Sequence, residues 1–475
     1  MTHEPERFAV VGSAIGVGAL LVGVGFALDR VTMNVVTGVL VVLVLFLMSV
    51  PLLQRITRVD GEPGLTQVFL WGLAAKFVFT LVRYFVINVV YGGNGDAGVY
   101  SEGGAFLAPL YRVGTFGAVP PILSGRGVET ERIAMVVGAI YSIIGVSDYA
   151  AFFIFAWVCF MGQVLMWRAF KRAVPEGDHR RYAILVLFLP SMLFWPSSIG
   201  KEAIMLGCIG MVCFGAAQIL GERVRLAGVM TFLAGVAGLS FIRPHMALIA
   251  IVSLGFASAV GTLAGFRSAA SPRVFVIRMV ALTVLVISAS VATTQMSRFF
   301  SEDDSADEGG VSSVLDRTTE QTSQGGSEFA APAVSNPVEL PAGVVTVLFR
   351  PFPWEARNVN GLIASAEGIL LLALFFAGHR RLITWFKTAP KRPYLVFAIA
   401  YAMVFIITFS YIGNFGILAR QRTQMLPLAL TMIAMYPAVR NRPSVLGGRR
   451  GPPQPLSAAN PVDETAGATT SGRSA

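Results

Sequence analysis

The sequence predicts an all-α, polytopic integral membrane protein with about 12 transmembrane helices. Three observations predict this class. Hydrophobic residues make up 55% of the 475 residues, charged residues make up only 13%, and the mean hydropathy is +0.67, which lies outside the range of soluble domains. Apolar runs of about 20 residues, long enough to cross a ~30 Å hydrocarbon core, recur along the chain. The Lys and Arg residues collect between these runs.

Each predicted span is an apolar run bounded by charged residues. The first run is long and lacks a small-x-small cleavage site, so we interpret it as a span and not as a cleaved signal peptide. The predicted spans cover residues 8–28, 32–53, 65–91, 149–168, 181–199, 202–220, 225–241, 246–265, 274–295, 359–378, 394–412 and 423–439.

The positions of the basic residues predict the orientation of these spans in the plasma membrane. Short cytoplasmic loops carry an excess of Lys and Arg, and the basic clusters 168–181 and 380–392 are the densest in the chain. Placing both clusters inside makes the N- and C-termini cytoplasmic. The apolar run from Ile133 to Gly145 is too short to span, so we predict an interfacial or re-entrant helix on the outer face.

This topology divides the chain into two parts. Residues 1–440 are predicted to form the transmembrane domain, with large extracytoplasmic loops at about 92–148 and 296–358. The second loop begins with an acidic stretch rich in Ser, Thr and Gly, which is typical of flexible segments. Residues 441–475, rich in Pro, Gly, Ser and Ala, are predicted to form a disordered cytoplasmic tail.

Composition also excludes several classes of function. The net charge is +10, but the basic residues lie in loops between apolar runs, so no nucleic-acid partner is expected. The three cysteines lie within apolar runs and the four histidines are far apart in the sequence. We therefore predict no disulfide framework, no metal site and no cofactor.

Two basic residues inside the third span are the first candidates for a binding site. Lys76 and Arg83 are seven residues apart, with Thr80 between them, so all three share one helix face. A charge at membrane depth is costly unless it is paired or lines a wet cavity. Lys76 and Arg83 are therefore predicted to bind an anionic substrate, and the alternative is a structural ion pair with snorkelling of Arg83.

The loop after this span carries the candidate catalytic carboxylates. Asp96 and Glu102 lie in a segment rich in Gly, where the backbone can approach a ligand closely. Either carboxylate could act as a base on a sugar hydroxyl. A solvated Asn-Gly-Asp turn is the alternative.

The junction between the fifth and sixth spans is a third candidate. Two prolines and a glycine interrupt the apolar pattern from Pro190 to Gly200, and Lys201 and Glu202 follow. Trp195 occupies the position of the first glycine of a phosphate loop, so ATP binding is not predicted. Lys201 at a helix N-terminus suits a phosphate oxygen, with Glu202 either a helix cap or its structural partner.

Three further external turns supply Arg. Arg243 and His245 flank a proline between two spans, and Arg420 and Arg422 precede the last span. Any one of them could be a membrane anchor, but Arg also pairs bidentately with phosphate oxygens. We therefore predict that all four residues bind substrate.

The turn at Arg350-Pro-Phe-Pro-Trp354-Glu355 combines a cation, an aromatic ring and a carboxylate. Arg350 and Trp354 are predicted to bind a pyrophosphate and a stacked sugar, and Glu355 is a further candidate catalytic residue. The alternative is an interfacial aromatic belt. The predicted topology places these turns on the same side of the membrane. We therefore predict that Arg243, Arg350 and Arg420 converge on one site.

These motifs together resemble the O-antigen-polymerase-like (Wzy-type) oligosaccharide repeat-unit polymerases and, more broadly, the GT-C class of membrane glycosyltransferases. The resemblance covers most of residues 8–440. It is carried by many spans, a large external loop and the motifs Leu193-Phe194-Trp195-Pro196-Ser197-Ser198-Ile199-Gly200-Lys201-Glu202, Ile242-Arg243-Pro244, Arg350-Pro351-Phe352-Pro353-Trp354-Glu355 and Asn414-x-Gly416-x-x-x-Arg420-x-Arg422.

The resemblance implies transfer or polymerisation of a glycan from an undecaprenyl-type (pyro)phosphate carrier on the outer face of the membrane, without a nucleotide or a metal. It implies that Arg243, Arg350, Arg420 and Arg422 bind the pyrophosphate with help from Lys201. It also implies that Asp96 is the acidic catalytic residue of the first external loop. The expected partners are the polyprenyl-linked sugar, the lipid bilayer and polysaccharide-assembly proteins.

Two other functions fit the same sequence features. A flippase or exporter of polyprenyl-linked saccharide would also need buried cations such as Lys76 and Arg83. A non-enzymatic membrane scaffold would need none of the external motifs. We rank glycan transfer first, transport second and the scaffold last.

Overall fold

The structure is a computed structural model that describes residues 33–93, 95–221, 224–263, 329, 334, 336–357 and 359–437. Every regular element of these residues is helical, and an isolated bridge joins Gly177 to Met435. The predicted spans 8–28 and 274–295, much of the loop 296–358 and the tail 441–475 lie outside the described residues.

Ten α-helices of the described residues lie between residues 33 and 263. A 3-10 turn, Pro63–Leu65, leads into the second helix, a π-helical turn, Val86–Val90, extends it, and another 3-10 turn, Pro121–Leu123, precedes the fourth. The helices are α1 (Met33–Val59), α2 (Thr66–Phe85), α3 (Asp96–Arg112), α4 (Val128–Ile144), α5 (Asp148–Ala173), α6 (His179–Phe188), α7 (Pro190–Phe194), α8 (Lys201–Ile219), α9 (Leu226–Ile242) and α10 (Pro244–Leu263).

Six further helices lie between residues 340 and 430. They are α11 (Leu340–Phe349), α12 (Val359–Ala377), α13 (His379–Thr388), α14 (Pro393–Phe409), α15 (Phe415–Gln421) and α16 (Leu426–Leu430). Short 3-10 turns punctuate this half at Pro337–Glu339, Pro353–Glu355, Ala389–Lys391, Arg422–Gln424 and Thr431–Ile433.

Several of these helices are long and apolar enough to cross a membrane. In the described part of the chain there are five, or six if α12 and the segment His379–Lys391, which meet at 67°, count as one broken span. The five are Met33–Val59, Pro63–Val90, Asp148–Ala173, Lys201–Ile219 and Pro244–Gly261. Helices α9 and α14 have 17 residues each, about 26 Å, a little short of the ~30 Å core. The described residues therefore contain fewer membrane-length helices than the sequence predicted.

Two predicted spans are not continuous helices, and in these two cases the prediction was wrong. The segment 181–199 is divided into α6 and the five-residue α7, with the break at Leu189–Pro190. The described part of the segment 423–439, which ends at residue 437, contains the five-residue α16 between two 3-10 turns. Both segments are apolar enough to be predicted as spans from their mean hydropathy. Mean hydropathy does not reveal a break in a helix where side chains from distant parts of the chain bind the free backbone carbonyls and amides.

Helix α5 lies at the centre of the helical packing. It packs against α1, α2, α6 and α8, and α8 packs in turn against α9. Small residues allow α5 and α8 to approach closely: a Cβ added to Gly210 would lie 2.5 Å from the Cα of Gly162. Such small-residue contacts are the usual means by which membrane helices come together.

The predicted short helix at Ile133 to Gly145 forms most of α4, which begins earlier at Val128 and runs in the same direction as α3. Gly103 faces Ala134, Leu107 faces Gly138, and Arg112 donates hydrogen bonds to the carbonyls of residues 141 and 142. Because contacts advance along both helices together, the N-terminus of α4 lies on the same side as that of α3. This arrangement brings Glu129 of α4 to the region of Asp96.

Charged residues from several loops pair where α2 begins, at an end of the protein that we call the basic end. The basic partners belong to the two clusters that the sequence predicted to share one side of the membrane. The pairs are Arg168–Asp60 (2.6 Å), Arg172–Asp60 (3.1 Å), Lys171–Glu62 (2.5 Å), Arg381–Asp178 (2.9 Å) and Arg392–Glu176 (2.8 Å).

Candidate functional site

A cavity of about 250 Å³ lies at the other end of α2, which we call the cavity end. Its wall combines three basic side chains, two carboxylates, two tyrosines and a tryptophan. The lining residues are Arg83, Ile87, Tyr91, Gly95, Asp96, Ala97, Tyr100, Trp195, Ser198, Ile199, Gly200, Lys201, Glu202 and Arg420. Three segments that the sequence singled out, around residues 83–102, 195–202 and 420, therefore meet at one cavity.

The interrupted α6–α7 segment forms one wall because side chains satisfy its free backbone groups. In a continuous helix the carbonyl of Met192 would accept a hydrogen bond from residue 196, but Pro196 has no N–H group. The ammonium of Lys76 donates to that carbonyl instead, with 2.7 Å between Nζ and O. Lys76 is fully buried and does not line the cavity. The prediction that Lys76 shares a substrate site with Arg83 is therefore not supported by their positions.

The start of α7 is held by a buried carboxylate from α12. One oxygen of Glu367 accepts the backbone N–H of Ser191 at 2.8 Å, and the other pairs with Arg422 at 2.9 Å. The Arg422 side chain has no solvent exposure, and its guanidinium also lies 3.2 Å from the carbonyl oxygen of Arg350. Arg422, predicted to bind substrate, is thus enclosed in protein and joins three segments behind the cavity.

Arg83 occupies the cavity without a carboxylate partner among the described residues. Its guanidinium lies over the rings of Phe194 and Trp195, 4.7 and 5.1 Å from their centroids, and its buried Nε makes no hydrogen bond. Stacking leaves the edge of a guanidinium free for hydrogen bonds. Arg83 is therefore positioned to receive an anion.

Arg420 lies between two carboxylates on the cavity wall. Its Nε is 3.1 Å from Glu202 Oε1, and its Nη1 is 3.5 Å from Asp96 Oδ2. The Glu202 carboxylate raises the pKa of Arg420 further above its usual value, so the guanidinium stays charged. Glu202 is buried, whereas the Asp96 side chain is 62% exposed. Asp96 is therefore the carboxylate that a ligand in the cavity can reach.

Glu129 connects Lys201 to Arg243 beside the cavity. Its Oε2 atom is 2.7 Å from Lys201 Nζ and 3.5 Å from Arg243 Nε. Burial raises the pKa of Glu129, but the charges of Arg243 and Lys201 outweigh burial and lower it overall. Arg243 is itself buried and donates a short hydrogen bond to the side-chain oxygen of Gln421. Arg243 thus ties α9 to α4 and α15.

A separate cluster surrounds Arg350. Its guanidinium lies 4.6 Å from the ring centroid of Phe329 and 5.1 Å from that of Phe415, and it makes a two-oxygen contact with Glu355 at 2.5 to 3.1 Å. Burial raises the pKa of Glu355, but hydrogen bonds from Arg350 and the Phe352 amide lower it overall. Glu355 is therefore an ionised partner of Arg350, which differs from its predicted catalytic role.

Contacts place two of the three arginines that the sequence predicts to converge beside neighbouring residues. Arg243 contacts Glu129, which also pairs with Lys201, and Arg420 contacts Glu202, the next residue along the chain. Among the described residues, Arg350 pairs with Glu355 and two aromatic rings, and its backbone carbonyl lies 3.2 Å from the guanidinium of Arg422.

The remaining predicted residues lie beside the cavity or away from it. Glu102 is exposed on α3 and does not line the cavity. The ring of His245 lies 6.0 Å from that of Phe409, and the ring of Trp354 stacks on Phe352 with its side chain 79% exposed. Neither reaches the cavity wall, so their predicted substrate contacts have no counterpart in this arrangement.

Sequence reasoning missed Glu129, Glu367 and Gln421. A signal for Glu367 was available, because a carboxylate within an apolar span is costly and therefore marks a partner or a function. Glu129 lies in the first turn of α4. Because α4 runs in the same direction as α3, this first turn lies close to Lys201. No pattern in the sequence marks Gln421. Among the described residues, no three His, Cys, Asp or Glu side chains are grouped so that they could hold a metal ion.

No protein-family model, no curated protein and no solved structure matches this chain. The resemblance to repeat-unit polymerases therefore stays a prediction from its motifs, and the cavity has to be interpreted from its own chemistry.

Proposed function

We propose that the protein transfers or polymerises a glycan from a polyprenyl (pyro)phosphate carrier at the extracytoplasmic face of the plasma membrane, as part of cell-surface polysaccharide assembly. The observation that carries the proposal is Arg83, a guanidinium without a carboxylate partner among the described residues, in a cavity that also contains Lys201 and Arg420. Cations in such a site favour a phosphate-bearing ligand.

The binding role falls to the three cavity cations. Arg83 is stacked and therefore fixed in orientation, which lowers the entropy lost when its N–H groups bind phosphate oxygens. Arg420 and Lys201 are held by Glu202 and Glu129 at 3.1 and 2.7 Å. Because the leaving group of the transfer is a phosphate, cations at this position stabilise negative charge that develops in the transition state.

Asp96 supplies the base in this proposal. It is the more exposed of the two cavity carboxylates, with 62% exposure against 8% for Glu202. A carboxylate beside the acceptor can take the proton of the attacking hydroxyl as the bond to the sugar forms.

The depth of the cavity supports transfer over transport. Arg83 lies 17 residues beyond the first residue of α2, or about 26 Å along the helix axis. Secondary transporters bind substrate near the bilayer midplane, whereas this distance places Arg83 near one end of the membrane-length helix. The position favours a site at the membrane surface over the flippase alternative.

The proposal is tested with membranes that contain the parent protein, Arg83→Gln or Arg126→Gln, each supplied with lipid-linked oligosaccharide and analysed by gel for glycan length. Arg126 is an exposed arginine in the same loop region, outside the cavity, and serves as the matched control. We expect a longer product from the parent and from Arg126→Gln, reduced by about 100-fold in Arg83→Gln, as for loss of one charge-stabilising donor.

Two outcomes would contradict the proposal. Equal product from all three proteins would remove Arg83 from the site. No product from any of them, with the lipid-linked saccharide still crossing the membrane in a fluorescence-quenching assay, would favour the flippase.

A further inference from the structure

Two further cavities lie at the basic end, away from the proposed transfer site. One, of about 370 Å³, is lined by Asp178 just before α6, by Arg180 and Arg181 in the first turn of α6, and by apolar residues of α6 and α12. The other is an apolar groove of about 690 Å³ between α2 and α6. Arg180 and Ile184 line both. The two spaces are therefore neighbours, with Arg180 at their junction.

The charged cavity carries an excess of positive charge. Arg180 and Arg181 line it together with one carboxylate, Asp178. Both oxygens of that carboxylate are occupied, one by the backbone amide of Arg181 at 3.1 Å and the other by the guanidinium of Arg381 at 2.9 Å. Arg180 is exposed and makes no hydrogen bond or ion pair with any described residue. The charge that remains to be neutralised is therefore positive.

The neighbouring groove has the dimensions of a hydrocarbon chain. Its α2 wall runs from Gln67 to Phe79, about 18 Å at 1.5 Å per residue, which is close to the thickness of one leaflet of a ~30 Å core. Trp71, Val78 and Phe188 supply apolar surface along it, and Trp71 is 60% exposed. The groove is thus open to a chain that lies parallel to α2.

We propose that this junction is a binding site for a phospholipid with an anionic headgroup, whose phosphate contacts Arg180 and whose acyl chain lies in the groove. A cationic cavity joined to an apolar groove complements an amphiphile with negative charge at one end. A zwitterionic lipid balances its phosphate with its own cation, whereas an anionic headgroup has net negative charge to neutralise Arg180. This site lies at the opposite end of α2 from the cavity of Arg83 and does not depend on the glycan-transfer proposal.

The test uses the purified full-length protein in mild detergent, with native mass spectrometry and thermal unfolding to record binding of phosphatidylglycerol, phosphatidylcholine or inorganic phosphate. The variants are Arg180→Gln, which removes the charge, and Ala75→Phe, which fills the groove at a residue that lines it. Arg58→Gln is the matched control, because Arg58 is exposed on α1 and lines neither space.

We expect phosphatidylglycerol to bind the parent and Arg58→Gln with equal affinity and to raise their unfolding temperature. The affinity falls about tenfold in Arg180→Gln, equivalent to one charge-assisted contact, and falls in Ala75→Phe although the charge is kept. Equal binding of phosphatidylcholine, unchanged binding in Arg180→Gln, or the full effect from inorganic phosphate alone would each overturn the proposal. The last result would show a simple anion site with no lipid chain.

Discussion

Each end of α2 has ion pairs, and an exposed pair at the basic end can be compared with a buried pair at the cavity end. At the basic end, Arg392 and Glu176 are each 39% exposed. At the cavity end, Arg422 and Glu367 are 0% and 6% exposed. An exposed pair exchanges its partner for water at little cost, whereas a buried charge depends on its partner. The comparison indicates that Arg392 and Glu176 form a surface anchor, whereas Arg422 and Glu367 hold the protein together behind the cavity.

The largest effect is expected when the buried pair loses one member. Glu367→Ala leaves the Arg422 guanidinium buried without a carboxylate and the Ser191 amide without an acceptor. We expect the free energy of unfolding to fall by about 3–5 kcal/mol, measured by denaturation in detergent. Glu367→Gln keeps an acceptor for the amide and should lose less. A loss below 1 kcal/mol in Glu367→Ala would mean that burial does not make this pair more important than the exposed Arg392–Glu176 pair.

The second effect concerns activity at the cavity end alone. If Asp96 is the base, Asp96→Asn should lower the rate of glycan transfer by about 10² to 10⁴-fold without changing the unfolding temperature. Glu102→Gln is the control, because Glu102 lies on the same helix and does not line the cavity. Equal losses in both variants would assign the effect to α3 as a whole and not to Asp96.

The third effect is a pH dependence of stability from Glu129. Its pKa is lower in the folded protein than in the unfolded chain, because Arg243 and Lys201 favour its ionised form. Its contribution is therefore complete above the ordinary Glu pKa of about 4.3 and is lost as the pH falls through the lower folded value. Glu129→Gln should flatten this part of the stability profile below about pH 4.3. An unchanged acid limb would show that Glu129 contributes nothing.

The smallest effect is expected at the basic end. Arg392→Ala removes one partner of an exposed pair, and we expect a loss of less than about 1 kcal/mol, reduced further in high salt. The same denaturation assay measures it beside Glu367→Ala. Equal losses from the two variants would remove the distinction between the exposed and the buried pair.

Hydropathy predicted the long helices well because each apolar run in the sequence is about as long as the helix that it forms. The predicted spans 32–53, 149–168 and 202–220 correspond to Met33–Val59, Asp148–Ala173 and Lys201–Ile219. Local composition does not reveal where a helix breaks if a residue far along the chain binds the backbone groups that the break leaves free. Pro190 and Pro196 were visible in the sequence, but the partners of the broken helix, Lys76 and Glu367, lie far away along the chain.

The candidate site was predictable to a similar extent. Arg83, Asp96, Lys201, Glu202 and Arg420 were all selected for their cost or chemistry near a membrane, and all five line the cavity. Residues whose role depends on the direction of the side chain could not be predicted from the sequence. Sequence position places Arg422 beside Arg420, but only the turn of the chain after α15 directs one side chain to the cavity and the other into the protein.

The pairing of Glu202 with Arg420 also orders events in time. The carboxylate emerges from the ribosome more than two hundred residues before its arginine, which at about 5–20 residues per second is an interval on the order of 10 to 40 seconds. Glu367 and Arg422 are closer together in the sequence, so the interval between their synthesis is shorter. During synthesis the α8 carboxylate must therefore remain protonated, hydrated or near another cation, and the cavity is completed only when the last helices arrive.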